Sequence, residues 1–167
     1  NSAYFLEYIL LEASQDSEKA IIQWASEFNR ARAAFQYEDC QILMAGVKSL
    51  GDALPKEARA IIWHCQGGVL HQLQQWENAI NTYQRSLTAF EEAGNLLGKG
   101  QVLNDLGNIF QALGQWQKAA QYYQESLPLK RKFAQRNDLA ATINNMAVNQ
   151  ADLGDSALAL ETLQEAL

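Results

Sequence analysis

Apolar residues recur along this chain with the spacing of amphipathic α-helices. One apolar stripe consists of Leu103, Leu106, Gly107 and Phe110, and a second consists of Ala119, Tyr123, Ser126 and Leu127. Between the two stripes, Leu113-Gly114-Gln115 supplies a break at which a glycine can turn the chain. The pattern predicts two antiparallel helices, with the small residue Gly107 at their closest approach.

The same pattern repeats every 40 residues, because residues 60–167 superimpose on themselves at that shift without a gap. Such self-similarity predicts helical hairpins in a stack, each with an apolar face that only a neighbouring hairpin covers. The matched columns are Gly67, Gly107 and Ala147; Leu73, Leu113 and Leu153; Ala79, Ala119 and Ala159; Tyr83, Tyr123 and Leu163; and Ser86, Ser126 and Ala166.

The period divides the chain into segments of one predicted domain over 1–167. The predicted segments are an N-terminal helix over 2–14, a degenerate repeat over 17–54, and repeats over 55–94, 95–134 and 135–167. The degenerate repeat aligns only at a shift of 39, through Trp24, Ala31, Tyr37, Cys40 and Met44. We expect the N-terminal helix to cap the stack and the last repeat to be truncated at its C-terminal end.

A family resemblance rests on Leu103, Leu106, Gly107, Phe110, Ala119 and Tyr123, and is repeated by Trp63, Gly67, Leu70, Ala79 and Tyr83. Their spacing resembles the tetratricopeptide repeat (TPR). The period of 40 is longer than the family's commonest, and is similar to that of kinesin light chains and spindle-orientation adaptors. The resemblance implies an all-α fold, a right-handed superhelical array of antiparallel helix hairpins (a TPR-like α-solenoid) with about nine helices.

The resemblance also implies a non-catalytic scaffold that binds a protein or peptide in a concave groove. The residues predicted to face that groove are Gln101, Asn104, Asp105, Asn108, Asn144, Asn145, His64 and His71, with Cys65, Gly68, Gln111 and Asp152 beside them. Amide side chains carry both a donor and an acceptor, so a row of them can pair with an extended peptide backbone. The alternative is that these asparagines are merely solvated helix positions.

Three further features qualify the pattern. Pro128 stands inside the second helix of its repeat and is expected to kink or end that helix. The tryptophans Trp24, Trp63, Trp76 and Trp116 fall in repeat columns and are expected to pack in the core. No polar closing helix precedes Leu167, so we expect a longer protein or an end covered by a partner. That end motivates the alternative function, a self-association or sensory module of a larger signalling protein, with homo-oligomerisation through the C-terminal end.

Composition narrows the function classes. The chain has 167 residues with a formal charge of −6, so nucleic acid is not an expected partner. The basic cluster of Lys130, Arg131, Lys132 and Arg136 is assigned to a helix end, where cations complement the helix dipole. No run of apolar residues is long enough to span a membrane. Two cysteines without a metal-ligand spacing favour a cytoplasmic location.

No arrangement of residues points to catalysis, a metal or a cofactor. The segment 94–100 has glycines but lacks the spacing and the Ser or Thr of a phosphate-binding loop. His64 and His71 are seven residues apart, about 10 Å along a helix, which is too far to chelate one ion. Cys65 follows His64 directly and therefore points elsewhere around the helix. We therefore expect the protein not to be an enzyme.

Overall fold

The amphipathic periods fold as helices in the computed structural model, which describes residues 9, 12, 16–48, 54–134 and 136–164. Within these ranges the chain forms eight α-helices and no strand. The helices are α1 (Ser17–Ala33), α2 (Tyr37–Lys48), α3 (Lys56–Gln72), α4 (Trp76–Ala93), α5 (Leu96–Ala112), α6 (Trp116–Phe133), α7 (Arg136–Asp152) and α8 (Ser156–Gln164). The helix predicted over 2–14 lies outside the described residues, except for Ile9 and Glu12, which are helical.

The helices belong to two compact units, residues 1–93 and residues 94–167. In the first unit, α1 packs on α2 and α3, and α3 pairs with α4. In the second unit, α5 pairs with α6, α6 packs on α7, and α7 pairs with α8. The prediction of one domain over 1–167, with its repeat boundaries, stays a prediction.

Short turns with a left-handed residue join the paired helices. Gly114 has a φ of 69° and Gly154 a φ of 90°, while the non-glycine Phe35 and Gln74 each adopt 56° in the corresponding turns. After α5, the amide of Gln115 donates to the carbonyl of Phe110 at 2.8 Å. This bond satisfies a carbonyl that the last helical turn leaves open. The predicted break at residues 113–115 is confirmed.

The closest contact within two of the hairpins lies between a glycine and a tyrosine ring. A Cβ atom built on Gly107 would lie 2.5 Å from Cε1 of Tyr123, and one on Gly67 would lie 2.6 Å from Cδ1 of Tyr83. Both tyrosines are almost fully buried. Because real Cβ atoms do not approach this closely, the ring occupies the space that the missing side chain leaves.

A buried serine bond accompanies each glycine–tyrosine contact. Ser86 Oγ donates to the carbonyl of Ala60, and Ser126 Oγ donates to the carbonyl of Gly100, each at 2.7 Å. Both serines have no exposed surface, so the bond satisfies a hydroxyl that burial would otherwise leave unpaired. The serine column of the repeat therefore ties the two helices of a hairpin together.

In the first hairpin, the large and the small residue of the glycine–tyrosine pair exchange places. At the shift of 39, Phe28 takes the glycine column and Met44 takes the tyrosine column. Phe28 is buried and stacks on Trp24 at a ring distance of 4.9 Å. The large ring thus comes from the first helix of the hairpin, and the flexible, narrower methionine faces it from the second.

Two expectations are wrong in part: that the helix ends at Pro128, and that all four tryptophans pack in the core. The kink at Pro128 stays a prediction. Helix α6 does not end at Pro128 but continues to Phe133. Pro128 and Gln124 are exposed, so water can satisfy the carbonyl that loses its helical donor. Trp24 is fully buried, but Trp116, the first residue of α6 after the hairpin turn, is 38% exposed. Trp63 is half-buried beneath the Arg85 guanidinium, 4.5 Å from the ring centre.

The glycine–tyrosine contact predicts opposite effects for neighbouring glycines of α3. Gly67→Ala should lower the free energy of unfolding by about 1–2 kcal/mol, because the methyl group meets the buried Tyr83 ring. Gly68→Ala meets only the flexible end of Arg32, at 2.7 Å from Nη1, so the gain in helix propensity should leave stability unchanged or raised. Urea unfolding of both variants measures the difference.

A double variant controls for the cause. Tyr83→Met gives this hairpin the narrow residue that Met44 provides in the first hairpin. The combination of Gly67→Ala with Tyr83→Met should therefore lower the free energy of unfolding by less than the sum of the two single changes. Equal losses for Gly67→Ala and Gly68→Ala, or strict additivity in the double variant, would show that the ring contact does not set the helix separation.

Candidate functional site

The second unit carries a polar surface on α5 and α7. We call it the asparagine face, and define it as Gln101, Asn104, Asp105, Asn108, Asn144 and Asn145. Gln101 lies three and four residues before Asn104 and Asp105, and Asn108 lies four and three residues after them, so the α5 members lie along one side of that helix. The buried residues of α5 lie between them in sequence and face the core, and include Val102, Leu103, Leu106 and Ile109.

The asparagines of the two helices bond to each other. Asn145 Nδ2 donates to Asn108 Oδ1 at 2.9 Å and is 3.3 Å from Asn104 Oδ1. All three side chains are half-buried. The bonds hold α5 against α7 through amide groups, and they fix the orientation of three side chains on the asparagine face.

The hydroxyl of Tyr123 lies beneath this face. It is 2.8 Å from Asn108 Oδ1 and 2.8 Å from Gln111 Oε1, and its single proton can be donated to one of them at a time. Burial raises the pKa of Tyr123, and the charge of Asp105 raises it further. The phenol therefore stays protonated, as a donor, at neutral pH.

The network continues to the end of α7. Gln111 Nε2 donates to Asp152 Oδ2 at 3.2 Å, so α5 and α7 are bridged at a second point. Nearby, the fully buried Asn149 donates from Nδ2 to the carbonyl of Trp116 at 3.0 Å, which ties α7 to the start of α6. Amide side chains thus connect three helices of the second unit.

The remaining members of the asparagine face differ in how open they are. Asn144 is exposed, and Gln101 and Asp105 are half-buried. Gln101 and Asn144 do not share the asparagine bonds described above, whereas the charge of Asp105 acts on both Tyr123 and Lys130. The face therefore contains a bonded group (Asn104, Asn108 and Asn145), the carboxylate of Asp105, and two further amides, Gln101 and Asn144, which we call the contact group.

A buried lysine belongs to the same unit. Lys130 is 5% exposed, although the sequence placed it in a basic cluster at a helix end. Burial lowers the pKa of Lys130, while the charges of Asp138 and Asp105 oppose that shift. Because its aliphatic chain packs beside Gly100, Lys130 contributes to the contact between α5 and α6 rather than to a basic surface.

Two predicted groove residues, His64 and His71, belong to the other unit. The His64 ring lies 5.8 Å from the Tyr83 ring, and the His71 ring lies 5.6 Å from the Trp76 ring. Cys65 and Gly68, predicted beside them, are buried and so cannot face a groove. Burial raises the pKa of Cys65 to about 12, so this thiol is protonated and unreactive at neutral pH.

The sequence did not reveal that a core residue supports the face. The repeat column of Tyr123 predicts a core residue, and its ring is in the core. Its hydroxyl, however, reaches Asn108 and Gln111 on the preceding helix. The available signal was Gly107, whose missing side chain lets the tyrosine pass across α5. Asn108 and Gln111 come after that glycine by one and four residues.

Comparisons with known proteins agree with this architecture. Residues 58–132 match the family model of the tetratricopeptide repeat. The fold is similar to the TPR-like repeats of a protein assigned as a kinesin light chain in Podosopora anserina, with a TM-score of 0.70, 16% identity and coverage of 87% of this chain and 72% of that one. It is also similar to BtubC (BKLC) of P. vanneervenii, with a TM-score of 0.69, 16% identity and coverage of 99% and 86%.

A third similar structure is MamA, with a TM-score of 0.55, 15% identity and coverage of 88% of this chain and 90% of that one. At these identities the likeness shows the fold alone, and it confirms the predicted TPR-like, all-α architecture. None of the curated proteins matches this sequence. Among the described residues, no helix is both long and apolar enough to cross a bilayer.

Removing one hydroxyl tests the network. Tyr123→Phe should lower the free energy of unfolding by about 1 kcal/mol, because Gln111 and Asn108 lose a buried donor while the ring still fills the space beside Gly107. Tyr122→Phe is the matched control on the same helix, since that ring stacks on Phe110 at 5.3 Å. Urea unfolding should separate the two variants; equal losses would contradict a supporting role for the Tyr123 hydroxyl.

Proposed function

Because residues 58–132 match the family model of the tetratricopeptide repeat, we propose that this chain is a non-catalytic scaffold whose asparagine face binds an extended peptide segment of a protein partner. The observation that carries the proposal is the bond from Asn145 to Asn108, which joins side chains of two helices on one polar surface. A face ordered before binding loses less side-chain entropy when a partner docks.

The amides match the chemistry of a peptide backbone. Each Asn or Gln presents one carbonyl oxygen and two N–H donors, and the bonds within the network use only part of that capacity. Gln101 and Asn144 supply further amides at the surface. An extended segment, whose own backbone bonds are open, can pair with such a row.

The charges of the face favour a neutral or basic segment. Asp105 is the charged member of the six residues that define the face, and Asp152 bonds to Gln111 beside it. Neither position offers a cation to an acidic side chain or a terminal carboxylate. An acidic peptide would therefore meet repulsion, while Lys or Arg in the segment would be attracted to Asp105.

The non-catalytic part of the proposal is supported by the state of the chemically reactive groups. Cys40 and Cys65 are both buried and free, and burial raises the pKa of each thiol. His64 and His71 lie against aromatic rings. The nucleophile next to His64 in sequence is Cys65, which is buried. Free thiols also support the proposed cytoplasmic location, where the redox state keeps them reduced.

Changing the contact group tests peptide binding without disturbing the bonded group. Peptides are first selected from a random display library on the full chain. Their affinity should fall by at least about tenfold for the protein that carries both Gln101→Arg and Asn144→Arg, because both changes fill the face with large side chains. The matched control is Gln121→Arg combined with Gln124→Arg, which alters exposed residues of α6. Fluorescence anisotropy of labelled peptides gives the affinities.

The outcome discriminates between a binding face and solvated positions. Peptides that bind the α6 control as well as the unmodified chain, but not the α5–α7 variant, would support the proposal. Equal binding to both variants would move the site elsewhere, and failure to select any peptide would oppose peptide capture altogether.

Self-association is a second candidate function, supported by the surface of α8. In that helix Leu158, Leu160 and Leu163 are 42%, 60% and 40% exposed, while Ala159 and Thr162 are buried. Leu160 and Leu163 are three residues apart and therefore lie on one side of the helix. Exposed leucines on one side favour contact with a second apolar surface. A sensory role within a larger signalling protein stays a prediction.

Light scattering across a concentration series tests this second candidate. We expect the mass to rise with concentration, and Leu160→Glu combined with Leu163→Glu should return the protein to a monomer because charged groups cannot be buried in that contact. Leu96→Glu, at an exposed leucine of α5, is the control. A constant monomeric mass for the unmodified chain would exclude self-association through α8.

A further inference from the structure

The first unit contains an apolar pocket that the proposed function does not use. It has a volume of about 300 Å³ and lies among α1, α2 and α3. Phe28 of α1 forms one wall, and Val69 and Leu70 of α3 form another. The remaining lining residues are Tyr37, Cys40, Gln41 and Met44 of α2, Gln66 of α3, and Leu73.

The space lies beside the exchanged pair of Phe28 and Met44, and both residues line it. In the second and third hairpins, a tyrosine from the second helix fills the gap over a glycine, whereas the first hairpin has the narrower Met44 in the tyrosine column. Helix α2 packs chiefly on α1 and only slightly on α3. The volume between α2 and α3 is therefore left unfilled by the chain's own described side chains.

The lining determines the chemistry of an occupant. Among the described residues, no charged side chain lines the pocket, so an ion would lose its hydration without gaining a partner. The polar groups at the walls are the amides of Gln41 and Gln66 and the hydroxyl of Tyr37, and each can make a hydrogen bond to a neutral group. Mostly apolar walls with a few polar groups, in a volume near the lower end of the ligand range, are typical of small-molecule sites.

We propose that this pocket binds one uncharged, largely apolar small molecule, with a single hydrogen-bonding group directed to Gln41 or Gln66. Phe28, Met44, Val69 and Leu70 supply the apolar contacts, and Leu73 lies at the edge, where it is 47% exposed. The site lies wholly within residues 1–93, whereas the asparagine face lies within residues 94–167. The two proposals can therefore succeed or fail independently.

Two dyes with the same rings test the preference for a neutral molecule. N-phenyl-1-naphthylamine is uncharged, and 8-anilinonaphthalene-1-sulfonate carries the same ring systems with an added sulfonate. With the full chain, we expect saturable one-to-one fluorescence enhancement by the neutral dye, and at least about tenfold weaker binding of the sulfonate. No saturable binding of the neutral dye, or equal binding of both dyes, would overturn the proposal.

Variants locate the binding. Val69→Phe should fill the pocket and weaken the neutral dye by at least about tenfold, and Leu73→Trp should obstruct its edge from an exposed position that tolerates a large ring. Ile61→Phe is the matched control, because Ile61 is a half-buried residue of the same helix that packs on the same core without lining this pocket. Circular dichroism checks that each variant is folded.

Binding that is lost in Val69→Phe and Leu73→Trp but kept in Ile61→Phe would support the pocket. Equal binding to all three variants would place the dye elsewhere and overturn the assignment. Capped peptides bearing Leu or Phe give a further test. If they displace the dye at concentrations where naphthalene does not compete, the occupant is a peptide side chain, and the proposal of a small-molecule site is overturned.

Discussion

The contact on which much of this structure depends is a tyrosine ring lying directly over a glycine of the preceding helix. With a Cβ on Gly107, the ring of Tyr123 would be only 2.5 Å away, so the two helices could not keep their separation. That separation also sets the length of the bond from Ser126 to the carbonyl of Gly100. One absent side chain therefore determines how α5 and α6 fit together.

The same contact links the core of the second unit to its polar surface. A tyrosine that crosses the helix at Gly107 brings its hydroxyl to Asn108 and Gln111, and through them to Asn145 and Asp152. A core residue thus orients side chains of the face that we propose as a binding site. Such support is a means of holding a binding surface in one conformation, because each side chain is restrained by a bond that is itself partly buried.

The first unit shows the effect of changing this pair. Phe28 stands in the glycine column of this unit, and Met44 stands in the tyrosine column. The exchange keeps a buried core around Trp24, whose indole N–H donates to the carbonyl of Leu43 at 2.9 Å. An apolar volume lies beside the pair, among α1, α2 and α3. The apolar pocket therefore lies in the repeat that departs from the common pattern.

The helices, the turn at residues 113–115 and the glycine–tyrosine columns could be predicted from the sequence, because each depends on residues a few positions apart or on one repeated spacing. The sequence also placed the asparagines on one side of their helices. It could not pair Asn145 with Asn104, which are 41 residues apart, since that bond depends on how closely α5 and α7 approach. The burial of Lys130 and the exposure of Trp116 were likewise decided by neighbouring helices, because local periodicity says which side a residue faces but not what covers it.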